Sequence, residues 1–188
     1  MLYGNTYKKG MTMKKLSEIA KEYEGHTVWT QKAADIAGVP IQTLQDWFKT
    51  GLLDFPGQGT GHRREFNIYD IILIGICKSL TDQGLRPKVV RHLVFDLTVE
   101  QAVGQTNTIK KYLRYDECFA IVPTQDKEQE NRGVMSGTTV CVPFNHDDLP
   151  NAFEVMQETM GTGRDTTIVI NINRIAKRIL KNASGEIG

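Results

Sequence analysis

The segment from residue 30 to residue 64 constrains the fold of this 188-residue chain more than any other part. It reads TQKAADIAGVPIQTLQDWFKTGLL and continues as DFPGQGTGHRR. Thr30 is a suitable N-cap, and the small residues after it form a helix face that allows close packing. Gly38 can adopt the positive φ of a tight turn, and a second helix then begins near Ile41. This spacing predicts a helix-turn-helix.

A glycine-rich hairpin is predicted directly after the second helix. Three glycines and a proline within residues 54–66 precede His62, Arg63 and Arg64. A DNA-binding wing needs a tip that bends sharply and arginines on its return strand that reach phosphates. An ordinary surface hairpin with solvating charges fits the same residues, so both interpretations stay open at this point.

Helical patterns surround this segment on both sides. Residues 13–24 have apolar residues at helical spacing, whereas residues 1–12 have no periodicity and are interpreted as a basic arm. Asn67 is placed to cap a mainly apolar helix over 68–83, and Pro87 suits the first turn of another helix. Residues 97–114 are ambiguous between a linker and a short helix.

The last third of the chain has a different pattern. Residues 117–123, 138–144 and 166–172 are rich in β-branched and apolar residues and predict three strands. A helix is expected from 147 to about 160, and a basic amphipathic helix over 174–181. The order β-β-α-β-α predicts a small α+β domain.

These patterns divide the chain into four predicted parts. They are a basic arm with a short helix at 1–26, a helix-turn-helix domain at 27–96, a linker or short helix at 97–115, and an α+β domain for oligomerisation or partner binding at 116–188.

Composition limits the classes of function. The 23 Lys and Arg residues nearly balance the 22 Asp and Glu residues, but residues 1–115 hold 16 and 11 of them and residues 116–188 hold 7 and 11. A basic first part and an acidic second part suggest different partners for the two parts. The three cysteines are far apart, which disfavours disulfides and a four-cysteine zinc site. No secretory signal or membrane span is expected, and a cytoplasmic, nucleoid-associated location fits best.

No catalytic or cofactor-binding group is expected. His146, Asp147 and Asp148 could suggest a metal site, but acidic caps at a helix N-terminus explain them equally well. The glycines around Gly161 follow a helix and precede a strand, the reverse of a phosphate-binding loop. No grouping typical of nucleophilic catalysis is visible. We therefore predict no enzyme activity, no cofactor and no metal site.

Residues 27–95 resemble the DNA-binding domain of the MerR family and the related excisionase-type winged helices. The features that carry the resemblance occur in order: a short strand, TQKAADIAGV, PIQTL with Trp47 close by, GLL, a glycine-rich wing with RREF, NIYDI, and QGLRP before another helix. The resemblance implies an N-terminal winged helix-turn-helix that binds double-stranded DNA, joined to the C-terminal α+β domain.

The resemblance also implies which residues contact DNA. The second helix would enter the major groove, where Gln42, Thr43, Gln45 and Lys49 would read base edges. In the wing, Arg64 matches the arginine that meets the DNA backbone, with His62 and Arg63 as auxiliary contacts. Phe66 matches the aromatic residue that packs the wing against the core. Trp29 and Trp47 are expected to be core residues of the helix-turn-helix.

The sequence departs from the family pattern in three places. Gln45 and Asp46 stand where the family has an arginine and a tyrosine, and an acidic residue near phosphate is unfavourable unless it pairs with a lysine or accepts from a cytosine. Residues 97–114 are too short for the family's long dimerisation helix. The cysteines do not form an effector loop, so metal sensing has no support.

The leading prediction is a sequence-specific regulator of transcription that forms a homodimer or higher oligomer through its C-terminal domain. Two alternatives stay open. One is a phage or mobile-element protein, either an excisionase or the small subunit of a packaging terminase. The other is an adaptor that uses its helix-turn-helix to contact protein.

Overall fold

A computed structural model describes most of the N-terminal part of the chain and the principal elements of the C-terminal part. The described residues are 15–55, 64–85, 87, 89–91, 94, 108–115, 117–123, 140–144 and 167–186. The helices are α1 (Leu16–Glu22), α2 (Thr30–Ala37), α3 (Ile41–Lys49), α4 (Ile68–Asp82), α5 (Thr108–Tyr112) and α6 (Ile172–Glu186). The strands are β1 (Val28–Trp29), β2 (Glu65–Phe66), β3 (Glu117–Pro123), β4 (Val140–Phe144) and β5 (Thr167–Asn171). Residues 87, 89–91 and 94 are helical as well. The mixed α+β class is confirmed.

The predicted helix-turn-helix is formed by α2 and α3. Gly38 has a φ of 70°, the left-handed conformation that lets the chain turn between the two helices. Ala33, Ala34 and Ala37 are buried on the packing face of α2. One detail differs from the prediction: α2 begins at Thr30 itself, and Trp29 occupies the N-cap position without a side-chain cap. Thr30 is the first helical residue because Trp29 is still held in strand β1.

A two-stranded antiparallel sheet joins the start of the helix-turn-helix to β2, the predicted return strand of the wing. Val28 pairs with Phe66, and Trp29 pairs with Glu65. Phe66 is fully buried, so the strand is anchored in the core as the sequence predicted. Because a strand alternates its faces, the residue next to the half-buried Val28 points outward. Trp29 is accordingly 48% exposed, and the expectation that it is a core residue is wrong.

Helix α4 is the central apolar helix of the N-terminal part. The Asn67 side chain accepts hydrogen bonds from the backbone N–H groups of Tyr69 and Asp70, as predicted for a cap. In return, the Asp70 carboxylate accepts from the Asn67 N–H at 3.0 Å. Burial raises the pKa of Asp70 to about 6, although that backbone hydrogen bond acts in the opposite direction. Cys77 is completely buried in this helix, in agreement with a core role.

The C-terminal strands form one antiparallel sheet in the order β4-β3-β5. In its register Phe119 pairs with Val142 on one side and with Asn171 on the other. All three predicted strands are confirmed, and the helix expected at 147–160 lies outside the described residues. Strand β5 leads directly into α6, whose first turn is capped because the Asn171 Oδ1 accepts from the Arg174 N–H at 2.8 Å.

Helix α6 packs on the helices of the N-terminal part. A Cβ atom added at Gly75 of α4 would lie 3.0 Å from Cδ1 of Ile179 and 3.2 Å from Cγ2 of Ile175, so the glycine permits a close approach. The Asn182 side-chain amide donates to the carbonyl oxygen of Ile36 in α2 at 2.9 Å. The buried residues of both parts therefore form one hydrophobic cluster. We keep the division at 27–96, 97–115 and 116–188 as a proposal, in which α6 is the element that joins the two folded parts.

Candidate nucleic-acid interface

Helix α3 presents a polar face to solvent because its apolar residues are used for packing. Leu44 is fully buried, and Trp47 and Phe48 pack partly buried against the core. Ile41 packs against the core as well, and the polar residues of the helix lie mainly on the other side. Gln42, Gln45 and Lys49 are exposed, and Thr43 is half-buried. The four residues predicted to read bases thus lie on one short helix, and three of them are open to solvent.

Asp46 lies between two of these side chains. The Gln42 amide donates to Asp46 Oδ1 at 3.4 Å, and Lys49 Nζ lies 3.6 Å from the same oxygen. The Lys49 and Asp46 side chains remain 70% and 56% exposed, so their attraction is weak and easily exchanged for another partner. Pairing with a lysine is one of the two conditions under which the sequence analysis expects an acidic residue to be tolerated near phosphate; the other is a hydrogen bond from the amino group of cytosine.

Aromatic packing joins the C-terminal end of α3 to the residues at both ends of the predicted wing. The ring centroid of Phe48 lies 6.0 Å from that of Phe55 and 5.8 Å from that of Phe66, and the centroids of Phe55 and Phe66 are 6.0 Å apart. The Arg64 guanidinium carbon lies 4.0 Å from the centroid of the Phe48 ring. Such a cation–π contact contributes about 0.5–1 kcal/mol at an exposed site. It orients the guanidinium beside the last turn of α3, so Arg64 and the predicted recognition helix belong to one surface.

A cleft of about 400 Å³ lies at this end of α3. Its basic lining residues are Lys49, Arg64 and Arg91, and Asp54 contributes an acidic group. A Cβ atom at Gly51 would lie 3.9 Å from the Arg91 guanidinium carbon, so this arginine reaches the turn that ends α3. Three cations from three separate segments form a site suited to an anion such as a phosphate group.

Sequence reasoning missed Arg91 because it lies in the helical segment after α4, far along the chain from α3. Its position shows no periodic or motif signal that separates it from other surface arginines. His62 and Arg63, which were predicted beside Arg64, lie outside the described residues. Of the seven predicted contact residues, five are described, and they occur on α3 and at the start of β2.

Other kinds of site have no support in the described part of the chain. Within the described ranges, no group of three or more His, Cys, Asp or Glu side chains could hold a metal ion. The thiols of Cys77 and Cys118 are buried, and burial raises the pKa of the Cys77 thiol far above its usual value. A thiol in this environment is unreactive. Among the same residues, no helix is long and apolar enough to cross a bilayer.

Comparison with known proteins agrees with this geometry. Residues 29–95 match the family model described as MerR HTH family regulatory protein. This segment is therefore similar to the helix-turn-helix domain of the MerR family. The match begins at Trp29 and runs through α2, α3 and α4 to the helical residues after Pro87. It does not cover the C-terminal sheet or α6. The matched family is one of DNA-binding regulators, and the match concerns this segment of the chain. No curated protein matches the chain.

Proposed function

We propose that this protein is a sequence-specific regulator of transcription that binds double-stranded DNA through a MerR-like winged helix-turn-helix. The observation that carries the proposal is the continuous surface formed by the polar face of α3 and the basic cleft at its C-terminal end. A helix fits the major groove of B-DNA, and cations beside it are placed to neutralise the flanking phosphates.

The side chains of α3 have the chemistry for reading base edges. Gln42 and Gln45 can form paired hydrogen bonds with adenine, and Lys49 can donate to the acceptors of guanine. Thr43 can contact either bases or sugar-phosphate. Asp46 would release Lys49 on binding, or accept a hydrogen bond from the amino group of cytosine.

The wing and the cleft supply contacts that do not depend on sequence. In this proposal His62, Arg63 and Arg64 contact the DNA backbone next to the groove that holds α3, and Arg91 joins them from the segment after α4. Each phosphate that is neutralised contributes about −0.9 to the slope of log affinity against log salt concentration. Raising the salt concentration should therefore weaken binding steeply.

A single module of this size is expected to act as part of an oligomer. One such domain buries only about 600–1,000 Å² of protein surface on DNA, which is small for tight binding. We propose that the C-terminal α+β part forms a homodimer or a higher oligomer. The mass of the protein–DNA complex distinguishes these states.

The decisive experiment measures binding to fragments of the protein's own genomic neighbourhood at low and high salt. We expect selective, salt-sensitive binding by the wild-type protein. The double variant Arg63→Ala with Arg64→Ala should lose affinity for all duplexes and should show a salt slope shallower by about 2. Gln42→Ala should instead reduce the difference between specific and unrelated DNA. A matched control is Lys21→Ala with Lys111→Ala, which removes two exposed charges from α1 and α5.

Other outcomes would change the assignment. An unchanged affinity and salt slope in the Arg63 and Arg64 variant would show that the wing does not contact DNA. A ring or filament on clustered sites would indicate the excisionase or terminase alternative. The exposed Asp46 on α3 favours the adaptor alternative as a second candidate. Absence of DNA binding at either salt concentration, together with a stable protein partner, would support it.

A further inference from the structure

Helix α6 has one apolar face and one basic face. The apolar face is buried against the core by Ile172, Ile175, Ala176, Ile179, Leu180 and Ala183. On the opposite face four exposed cations recur at positions i, i+3, i+4 and i+7 and form a single row, hereafter the α6 basic stripe: Arg174, Lys177, Arg178 and Lys181.

The overall charge of the C-terminal part conceals this stripe. Residues 116–188 contain 7 basic and 11 acidic residues, and this acidic balance by itself disfavours contact with DNA. The described residues from 117 onward, however, contain four Lys and Arg residues, all in the stripe, and only Glu117 and Glu186 as acids. Lys177 Nζ lies 3.7 Å from Glu117 Oε1, so one of the four cations already has an acidic neighbour.

We propose that the α6 basic stripe is a second contact surface for the phosphate backbone of double-stranded DNA, in addition to α3 and the wing. The inference rests on the proposed DNA binding. The stripe extends over eight residues of helix, from Arg174 to Lys181, which is a rise of about 10 Å. The same length of duplex carries roughly six phosphate charges, so four cations in a row face a comparable density of anions.

The stripe is held rigidly to the DNA-binding part of the molecule. Gly75 lets α6 approach α4, and Asn182 is hydrogen-bonded to the carbonyl of Ile36, two residues before the turn into α3. Binding of a phosphate by α6 would therefore not require the ordering of a flexible linker between the two parts. In this arrangement the C-terminal helix adds sequence-independent affinity, and α3 provides selectivity.

The packing of α6 disfavours a lipid surface as the alternative anionic partner. A helix that lies on a membrane inserts its apolar face into the interface between headgroups and acyl chains. In α6 that face is occupied, because Ile175 and Ile179 contact α4 and the remaining apolar residues are buried. The cations alone are available, and their charge complements a polyanion.

The test compares three variants of the full-length protein with the wild type on one mixed-sequence duplex. The stripe variant carries Arg174→Gln, Arg178→Gln and Lys181→Gln, and it retains Lys177 and its pairing with Glu117. Its charge-matched control carries Lys21→Gln, Lys111→Gln and Arg114→Gln, three exposed positions on and beside α1 and α5. A conservative variant carries Arg174→Lys and Arg178→Lys.

The expected result is a salt slope shallower by about 2.7 for the stripe variant only, which is about 0.9 for each of three phosphate contacts. Between about 50 and 200 mM salt, its affinity should then fall about 40-fold less than that of the wild type. The preference for specific over unrelated DNA should be unchanged, and the lysine variant should behave as the wild type. Equal thermal unfolding midpoints of the stripe variant and the wild type would exclude a folding defect.

Four results would overturn the inference. If the wild type binds DNA and the stripe variant has an unchanged slope, α6 does not contact DNA and the proposed function stands. Equal losses in the stripe variant and the control would show a general effect of net charge. Stripe-dependent binding to vesicles containing anionic lipid, with unchanged DNA binding, would assign the stripe to a membrane. If the wild type binds no duplex, both the inference and the proposed function fail.

Discussion

Replacing Gly75 by alanine tests whether α6 is part of the same core as the helix-turn-helix. The new methyl carbon would lie 3.0 Å from Cδ1 and 3.3 Å from Cγ1 of Ile179, and 3.2 Å from Cγ2 of Ile175. All three distances are shorter than ordinary van der Waals contact. Ile179 and Ile175 would have to move, and both are buried in the interface between α4 and α6.

Two opposing effects determine the change in the free energy of unfolding. Alanine in place of glycine within a helix stabilises it by about 0.8–1.0 kcal/mol. Overpacking a well-packed core costs about 1–3 kcal/mol. We expect overpacking to dominate because three contacts are short at once, and Gly75→Ala should destabilise the protein by about 1 kcal/mol.

Urea unfolding of single and double variants measures this effect. Ile179→Val removes the Cδ1 atom and alone costs about 0.5–1.5 kcal/mol. In combination with Gly75→Ala it should also relieve the shortest contact, so the double variant should be more stable than the sum of the single effects by about 0.5 kcal/mol or more. Gly185→Ala is the control, since nothing lies within 4 Å of a Cβ atom there. It should be neutral or stabilising.

The packing of α6 on α4 would be refuted by a specific pair of results. Gly75→Ala would have to stabilise the protein by the full helix-propensity gain, and its effect would have to be additive with that of Ile179→Val. Additivity would mean that the two residues are not in contact.

Three further predictions concern stability. Burial raises the pKa of Asp70 to about 6 in the folded protein, above its value in the unfolded chain. Between the two pKa values the folded state binds more protons than the unfolded state. The stability of the wild type therefore decreases as the pH rises through about 4 to 6. The free energy of unfolding of Asp70→Asn should therefore rise relative to that of the wild type across this range, by at most about 3 kcal/mol. Urea titrations of both proteins at each pH measure this, and a difference between the two proteins that does not vary with pH would contradict it. Asn67→Ala should lower the free energy of unfolding by about 1 kcal/mol because it removes the cap of α4. Asn67→Ser should keep most of the wild-type stability because serine can also cap. Equal decreases of the thermal unfolding midpoint in the two variants would argue against the cap. Asn182→Ala should cost about 1 kcal/mol because the carbonyl of Ile36 loses its donor, and an unchanged unfolding midpoint would argue against this link between α6 and α2.

Local patterns predicted most of the secondary structure of the N-terminal part. The turn at Gly38, the cap at Asn67 and the apolar character of α4 depend on neighbouring residues, and each is confirmed. Trp29 was misassigned because a two-residue strand has too little periodicity to show which of its residues faces inward. Its outward orientation follows from the pairing with Glu65, a residue far along the chain.

The candidate site was predictable only in part for the same reason. Gln42, Gln45 and Lys49 lie on one helix, so their common exposed face follows from helical spacing. The position of Arg91 beside Gly51 depends on how the segment after α4 returns to the end of α3. Sequence spacing carries no information about such a contact.

The sequence by itself determined the helix-turn-helix, the capped apolar helix and the three C-terminal strands, because propensity, capping and periodicity act over a few residues. Only the tertiary structure decided that Lys49, Arg64 and Arg91 line one cleft and that α6 turns its apolar face to α4 and its cations to solvent. The physical reason is that removal of apolar surface from water lowers the free energy of the folded state whichever helices provide the cover. Which helices meet therefore depends on shape across the whole core, including the space left by the missing side chain at Gly75.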